Sequence, residues 1–448
     1  MDSKSLTPDQ LPRRLGVFSA AAVVVGAIIG SGIFGVTAEI ANGVGTVGAM
    51  ALAWLTGGVI TLCLAWSMAE LSAMFPSAGG TYVYLREAFG PMMAFLFGWI
   101  FLLFAPAGWA GIAAIFSRYA APMLGVDPGH DHEYPITIAI IAVVTVTNAL
   151  SVTFSSRVQS ATTVAKALAL FGLALALFLL AKGSDGALAA PIDWRPTSIA
   201  GFGTVLVAVL WAYDGVGPFC ALSGEVKDPG RSLPIALLVG VSIVVVLYML
   251  INAAYLYALP LDAVKASKLV AGDAAQSIGG NTARQAISIL VMVSTFGAVS
   301  ALGLTDPRVF FAMGRDGLFF RSIGAIHPRF ATPARAVVLS GVIACLYASR
   351  QEFEQLAATF VLGLWPFYAL AVAGVIVLRR KRPDQPRPYR TFGYPVVPVA
   401  FVAATFLILG NALITSPVST GMNIGLTLLG IPVYFIWKRV TRSHAAAG

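Results

Sequence analysis

Twelve runs of apolar residues, each close to the length that crosses a hydrocarbon layer, dictate what this chain can fold into. A helix needs about 20 such residues to span the layer. Runs of that kind occupy roughly 15–41, 46–74, 91–121, 134–153, 158–181, 200–223, 232–258, 284–313, 333–349, 355–378, 394–414 and 421–437. A transmembrane barrel is excluded, because its strands alternate apolar and polar residues instead of running apolar throughout. The composition, 58% hydrophobic and 11% charged, leaves too little charge to clothe a soluble globule of 448 residues. The expectation is an all-α membrane protein: a polar cytoplasmic tail over 1–14, then one transmembrane domain over 15–440. The opening residues MDSKSLTPDQLPRR are polar and the first apolar run is too long for a signal-peptide core, so that run reads as a span and not a leader. Cys63, Cys220 and Cys345 all fall in spans and read as small apolar fillers, with no metal or disulfide role.

The net charge of +9 is a matter of topology. With twelve crossings and an inside start, 21 of the 29 Lys and Arg fall on the cytoplasmic side and seven outside, with Lys166 left within a span. That asymmetry follows the positive-inside rule and places both termini in the cytoplasm. It also makes the basic stretch RRKRPDQPRPYR, 379–390, a cytoplasmic loop, which excludes nucleic acid as its partner. His130 and His132, near carboxylates in an outer loop, read as a wet acidic loop in preference to a metal site.

Two runs are interrupted where a membrane helix should be most regular. The first contains AIIGSGIFG, 27–35; the sixth contains LWAYDGVGPF, 210–219. They are five spans apart, so the chain divides into halves of five, about 15–181 and 200–378, with the last two spans, about 394–437, as an appendix. An odd number of spans per half inserts the second half upside down. Breaking a helix within the membrane frees N–H and C=O groups that cost several kcal/mol each if unpaired in lipid, tolerable only where they line a cavity or hold a ligand. Freed N–H groups at the start of a second half-helix suit a carboxylate, and freed carbonyls suit an ammonium. Two such breaks side by side form a receptor for the shared head of an α-amino acid. The alternative for GSG alone is a small-residue packing seam.

With these residues in view, the chain resembles the amino acid–polyamine–organocation transporter superfamily, and within it the bacterial branch of L-type amino acid transporter-like and serine/threonine exchanger-like proteins. The motifs are GSGIFG (30–35), FPSAGGTYVYLREAFGPMMAFLFGW (75–99), AYDGV with GEVKDPGRSLPIAL (212–237), RVFFAMGRDGLFF (308–320) and LRRKRPDQPRPYRTFGYPVVPVAF (378–401), which together cover about 15–440. The resemblance implies twelve transmembrane helices, a five-plus-five inverted repeat with discontinuous first and sixth helices, and transport by alternating access. It implies that the backbone of Ile28, Gly30, Ser31, Gly32 and Ile33 holds the substrate carboxylate. Trp211, Tyr213, Asp214 and Gly215 form the opposing break, where the carbonyls of Trp211 and Asp214 hold the amino group and Trp211 closes over the substrate. Ala107, Gly108 and Trp365 fall where the family lines the side-chain pocket, and a tryptophan at 365 is expected to shrink it.

Ionisable groups within a membrane are costly and mark function. Lys166 matches the lysine that sodium-independent members place where sodium-coupled relatives hold a cation, beside the first break; it is also a candidate for a coupling proton. Asp306 stands where related sequences commonly carry a small polar residue. It is expected either to pair with Lys166 or to pair with nearby Arg308. Asp214 has three readings: a titrating group, a contact for a cationic substrate, or a cap for the second half-helix. Glu39 reads as a vestibule residue, and Glu225, Lys227, Arg231, Arg315 and Asp316 as ion-pairing groups of an inner gate.

The function these residues point to is secondary transport of small neutral L-amino acids by exchange or proton coupling; the rival is a cationic amino acid or polyamine carrier. No Walker A pattern supplies ATP hydrolysis and no cofactor motif is present. A membrane enzyme lacks its cluster, since all four histidines lie in loops or the tail, and a channel lacks a continuous polar stripe. The expected partners are the amino acid, membrane lipid and a coupling proton; no feature sets an oligomeric state.

Overall fold

The computed structural model describes residue 13 and residues 15–446 other than 127–128, 151, 184–186, 190–191 and 328–331. Most of the expected cytoplasmic tail lies outside the described residues, as does Arg329; the side chains of His130, Arg157, Arg321 and Arg442 lie outside them too.

The first apolar run folds as three pieces, α1 Val17–Ile28, α2 Gly32–Gly35 and α3 Thr37–Val44. Gly45, at φ +76°, takes the left-handed conformation that ends α3. Thr46 then caps α4 Val47–Met74, its hydroxyl accepting from the Ala49 N–H at 3.3 Å. There follow α5 Thr81–Phe89, α6 Pro91–Ala120, α7 His130–Leu150 and α8 Val152–Leu180. The sixth run is split into α9 Ile199–Ala212 and α10 Val216–Ala221. Next come α11 Pro229–Ala258, α12 Leu261–Ala266, α13 Val270–Thr305, α14 Pro307–Arg315, α15 Arg321–Gly324, α16 Ala334–Ala348, α17 Phe353–Lys381, α18 Val396–Thr415 and α19 Pro417–Ala446.

Among the described residues, eleven helical segments are long and apolar enough to cross a membrane, and α16, at 15 residues, is a shorter apolar helix. The chain is a multi-pass, all-α membrane protein with the first and sixth crossings discontinuous. Two features differ from expectation. The eighth crossing begins further out, at Val270, because a helical stretch precedes it and joins across Gly279 and Gly280, the latter at φ +62°. In addition, α5 and α12 are short helices in loops to which the sequence reading gave no element.

Helix pairings recur in the two halves: the third crossing packs on the tenth (α6 on α17) as the eighth packs on the fifth (α13 on α8), and the second packs on the sixth (α4 on α9) as the seventh packs on the first (α11 on α1). The contacts depend on small residues. A Cβ on Gly240 of α11 would lie 2.7 Å from Val24 of α1, one on Gly26 2.1 Å from Thr163 of α8, and one on Gly57 of α4 2.2 Å from Val209 of α9. Membrane helices gain by packing backbones this closely, since lipid is as apolar as leucine. Large apolar side chains such as Leu168, Leu407 and Ile414 lie exposed on the outside, where lipid would cover them.

Candidate functional site

The two breaks meet. A Cβ on Gly32 would lie 2.3 Å from the Cα of Ala212, and one on Gly215 would lie 2.8 Å from the backbone nitrogen of Ile28. Glycine at both positions is what allows the two backbones to touch. The break at 29–31 and the break at 213–215 leave main-chain groups without helical partners. Among the described residues no acceptor faces the N–H groups of Ser31, Gly32 and Ile33, which open the second half of the first crossing. Freed carbonyls at the ends of the first halves have found donors. Tyr248 of α11 donates its hydroxyl to the Ile28 carbonyl at 3.0 Å and lies 3.2 Å from the Ala212 carbonyl, so one side chain ties both breaks together.

Between the breaks lies a cavity of about 50 Å³. Eight of the candidate substrate residues line it: Ile28, Gly30, Ser31, Gly32, Gly108, Trp211, Asp214 and Gly215. Ser31, 1% exposed, has a buried hydroxyl oxygen with no hydrogen-bond partner, and the same holds for Oδ1 of Asp214. Four candidates do not line this cavity. Ile33 is buried beyond the break, and Ala107 is one position, about 100° of helix, away from the lining Gly108. Tyr213 turns to Tyr248 and Trp54, at ring distances of 5.1 and 5.8 Å. Trp365 corrects the sequence reading: it packs on Phe401 of α18 at 5.9 Å and Tyr368 at 6.1 Å, and so does not narrow the pocket. The tenth crossing presents Phe360 to the cavity instead, five residues earlier and about 140° round the helix.

Trp211 stands between this cavity and a larger one. Its ring lies 5.2 Å from Phe360, in the cavity wall, and 5.9 Å from Phe353. Phe353 lines a vestibule of about 790 Å³ that also takes in Glu39, Arg118 and Glu354. The vestibule is built from the end of α3, the end of α6, the start of α7 and the start of α17, all on the face opposite the termini. Glu39 therefore sits where a vestibule residue belongs.

The termini face is closed. Leu15 is held beneath the site by Glu225 and Lys227, through Leu15 N to Glu225 O at 3.0 Å and Lys227 N to Leu15 O at 2.8 Å. Glu225 pairs with Arg308 at 2.6 Å. Asp316 accepts from Tyr82 at 2.7 Å and pairs with Arg86. Glu70, fully buried, binds Arg379 at 2.7 Å and the backbone N–H of Thr391 at 2.7 Å, which anchors the basic 379–390 loop. The ion pairing at this end falls on Glu225 and Asp316 as anticipated; the cations opposite them, Arg308 and Arg86, were not the ones the sequence suggested.

Both readings of Asp306 fail. Lys166, 3% exposed, donates to the carbonyl of Gly26 at 2.5 Å. Asp306, 4% exposed, accepts from Trp109 Nε1 at 2.7 Å, and Arg308 is engaged by Glu225. The Gly26 carbonyl is orphaned because Gly30, four residues on, bonds to Ile28 instead. An acceptor created by the backbone break thus captures the lysine. Asp214 does not cap α10, which starts without a side-chain cap bond. No group of three or more His, Cys, Asp or Glu able to hold a metal occurs among the described residues.

A family model described as "Amino acid permease" matches residues 15–435. The chain is 32% identical over 435 residues to the serine/threonine exchanger SteT of Bacillus subtilis (strain 168), covering 96% of this chain and 98% of that one. It is 32% identical over 401 residues to the b(0,+)-type amino acid transporter 1 of Oryctolagus cuniculus, covering 87% and 82%. It is 30% identical over 444 residues to the cystine/glutamate transporter of Homo sapiens, covering 97% and 87%.

Proposed function

Because the chain belongs to the amino acid permease family, within the amino acid–polyamine–organocation superfamily, we propose that it is a secondary transporter of small neutral L-amino acids that works by alternating access in a bacterial cytoplasmic membrane. The observation that carries this reading is the pair of abutting breaks around a small cavity. Unpaired N–H groups at 31–33 and the Ser31 hydroxyl suit a carboxylate; in the sixth break the Ala212 and Trp211 carbonyls are taken, and the Asp214 carbonyl, to which no described N–H donates, suits an ammonium. The size of the cavity speaks to the side chain. At about 10–15 Å³ per water-sized guest, 50 Å³ takes three to five such groups. That is fewer than the six heavy atoms of alanine, so the cavity favours the smallest amino acids and has no room for a large aromatic one.

Trp211, between cavity and vestibule, serves as the moving partition on the vestibule side. The Glu225–Arg308 and Asp316–Arg86 pairs hold the other side shut until substrate binding shifts the balance. On this reading the vestibule face is outside and the termini are cytoplasmic, in keeping with the placement of Lys and Arg. The 15–181 and 200–378 halves supply one break each.

The test is uptake of radiolabelled L-serine, L-threonine and L-alanine into proteoliposomes, preceded by a thermal-shift panel of the twenty amino acids and common polyamines on the purified protein. Small neutral amino acids are expected to stabilise the fold by RT ln(1 + [L]/Kd), and so to raise the melting temperature, and to exchange. A panel in which only arginine, lysine or polyamines respond would sink the proposal. The cationic alternative has one observation in its favour, the unpartnered carboxylate oxygen of Asp214 in the cavity wall. Asp214→Asn decides between them. With neutral substrates the backbone of the break does the binding, so serine uptake persists in the variant. An affinity loss of about 1.5 kcal/mol or more, tenfold or greater, confined to cationic substrates would instead establish the alternative.

A further inference from the structure

A second, smaller cavity lies between the main one and the termini face. It has room of about 10 Å³, near that of one water, and Thr81, Gly217, Pro218, Thr305, Asp306 and Tyr368 are among its walls. Thr305 and Pro218 also line the main cavity, so one layer of side chain divides the two. Asp306 sits at the joint between α13 and α14, where Pro307 interrupts the crossing. Its Oδ2 accepts from the Trp109 indole at 2.7 Å, and its Oδ1 lies 3.3 Å from the Thr305 hydroxyl. Thr81 of α5, 3% exposed, has a buried hydroxyl with no hydrogen-bond partner.

Among the described residues no cation balances this carboxyl group; the side chain of Arg157 on α8 lies outside them. From α8, Lys166 is turned to Gly26; on α14 itself, Arg308 is turned to Glu225; from α5, Arg86 and Tyr82 are turned to Asp316. Arg335 of α16 is bound to the Ser322 carbonyl, and α7 meets α13 with the uncharged Asn148. The remaining titratable neighbours in the cavity walls carry no positive charge: Tyr368 of α17, and Asp214 across the wall. An unpaired carboxylate at this depth costs several kcal/mol, and a bound proton removes that cost.

We infer that Asp306 carries the proton that drives uptake, and that the small cavity beside it takes one water which passes the proton by way of Thr81 to the termini face. The proton moves from the vestibule solution to the Asp306 carboxylate as substrate binds, and from the Asp306 carboxylic acid to that water when the termini face opens. No bond other than O–H is made or broken. The cavity is too small for the side chain of a cationic substrate, which leaves the proton as the cation of the right size. This inference rests on the transport reading above and names its coupling group.

The experiment uses the full chain in proteoliposomes, with radiolabelled L-serine as the probe. Wild type is expected to show serine–serine exchange at equal pH and, with the vestibule side acidic, accumulation above equilibrium. Asp306→Asn, an uncharged mimic of the protonated acid, is expected to keep exchange and lose the gradient-driven accumulation. Thr81→Val leaves Asp306 in place and is expected to slow gradient-driven accumulation severalfold with exchange intact. Asp306→Asn vesicles that accumulate serine as wild type does overturn the inference, as does wild-type exchange with no response to the gradient. Should Asp306→Asn not fold, unchanged accumulation by Thr81→Val overturns it. Lysine competition lost in Asp306→Asn while serine still follows the proton gradient would reassign the site to a cationic substrate. Absence of wild-type exchange for every neutral amino acid is a different result, and sinks the transport reading instead.

Discussion

Gly32→Ala is expected to abolish uptake and to destabilise the folded protein by about 1–3 kcal/mol, the usual cost of an added methylene in a packed interior. The new Cβ would lie 2.3 Å from Ala212 Cα, 2.6 Å from its Cβ and 3.2 Å from its nitrogen. Carbon atoms in contact prefer about 3.5–4.0 Å. The offending atoms are backbone, so no rotamer change relieves the overlap; the two breaks must separate by an ångström or more. Both breaks hold one small ligand, and misplacement on that scale can cost about a hundredfold. Gly30→Ala is the control. Its Cβ would meet Ala298 at 3.6 Å and the Ile28 carbonyl at 3.9 Å, which are ordinary contacts. Thermal unfolding of the two variants in detergent, beside serine uptake, makes the comparison. A Gly32→Ala protein with wild-type melting and uptake would mean that the breaks do not act as one receptor. Gly30→Ala should melt like wild type even where its methyl trims the cavity.

The breaks were legible because glycine, serine, aspartate and proline are conspicuous inside apolar runs, and because an unpaired peptide group in lipid demands a reason. The spans were legible from length alone. What the sequence hid is rotation. A continuous buried helix such as α6 or α17 is apolar all round, so nothing in its pattern says which face meets the cavity. Gly108 lines it and Ala107 does not; Phe360 lines it and Trp365 faces α18. The family correspondence located the right helices and left the facing residues to be found. The failure over Asp306 has another origin. Charge matching between side chains suggested Lys166, yet the partners that matter are an indole N–H and a backbone carbonyl, Trp109 Nε1 and Gly26 O. A backbone acceptor carries no signature in residue type, because it exists only once the helix has been broken. The α5 helix was missed for a related reason: Gly79 and Gly80, both at positive φ, fold the FPSAGG segment into a tight lead-in whose hydrogen bonds reach Ala221 of the sixth crossing, and such a partner is invisible to local patterning.

Lys166→Met tests whether that orphaned carbonyl matters to transport. Two terms oppose each other. Methionine removes a buried ammonium, whose desolvation costs several kcal/mol, and fills similar volume with apolar atoms. Against this, the variant leaves the Gly26 carbonyl unsatisfied, at about 1–3 kcal/mol, and removes a positive charge from the carbonyl end of α1, worth up to about 2 kcal/mol when partly buried. The terms nearly cancel in global stability, so melting is expected to change little. They do not cancel locally, because the gain is spread over the α8 packing while the loss falls entirely on the last turn before the first break. A local loss of about 2 kcal/mol leaves the receptor geometry populated roughly thirtyfold less, at 1.4 kcal/mol for each factor of ten. Serine exchange by Lys166→Met should therefore fall by at least an order of magnitude at near-normal melting temperature, with the ligand-induced thermal shift reduced in step. Exchange at the wild-type rate would show that the lysine merely fills space between α1 and α8; a collapse of the melting temperature would show that it holds the fold and not the break.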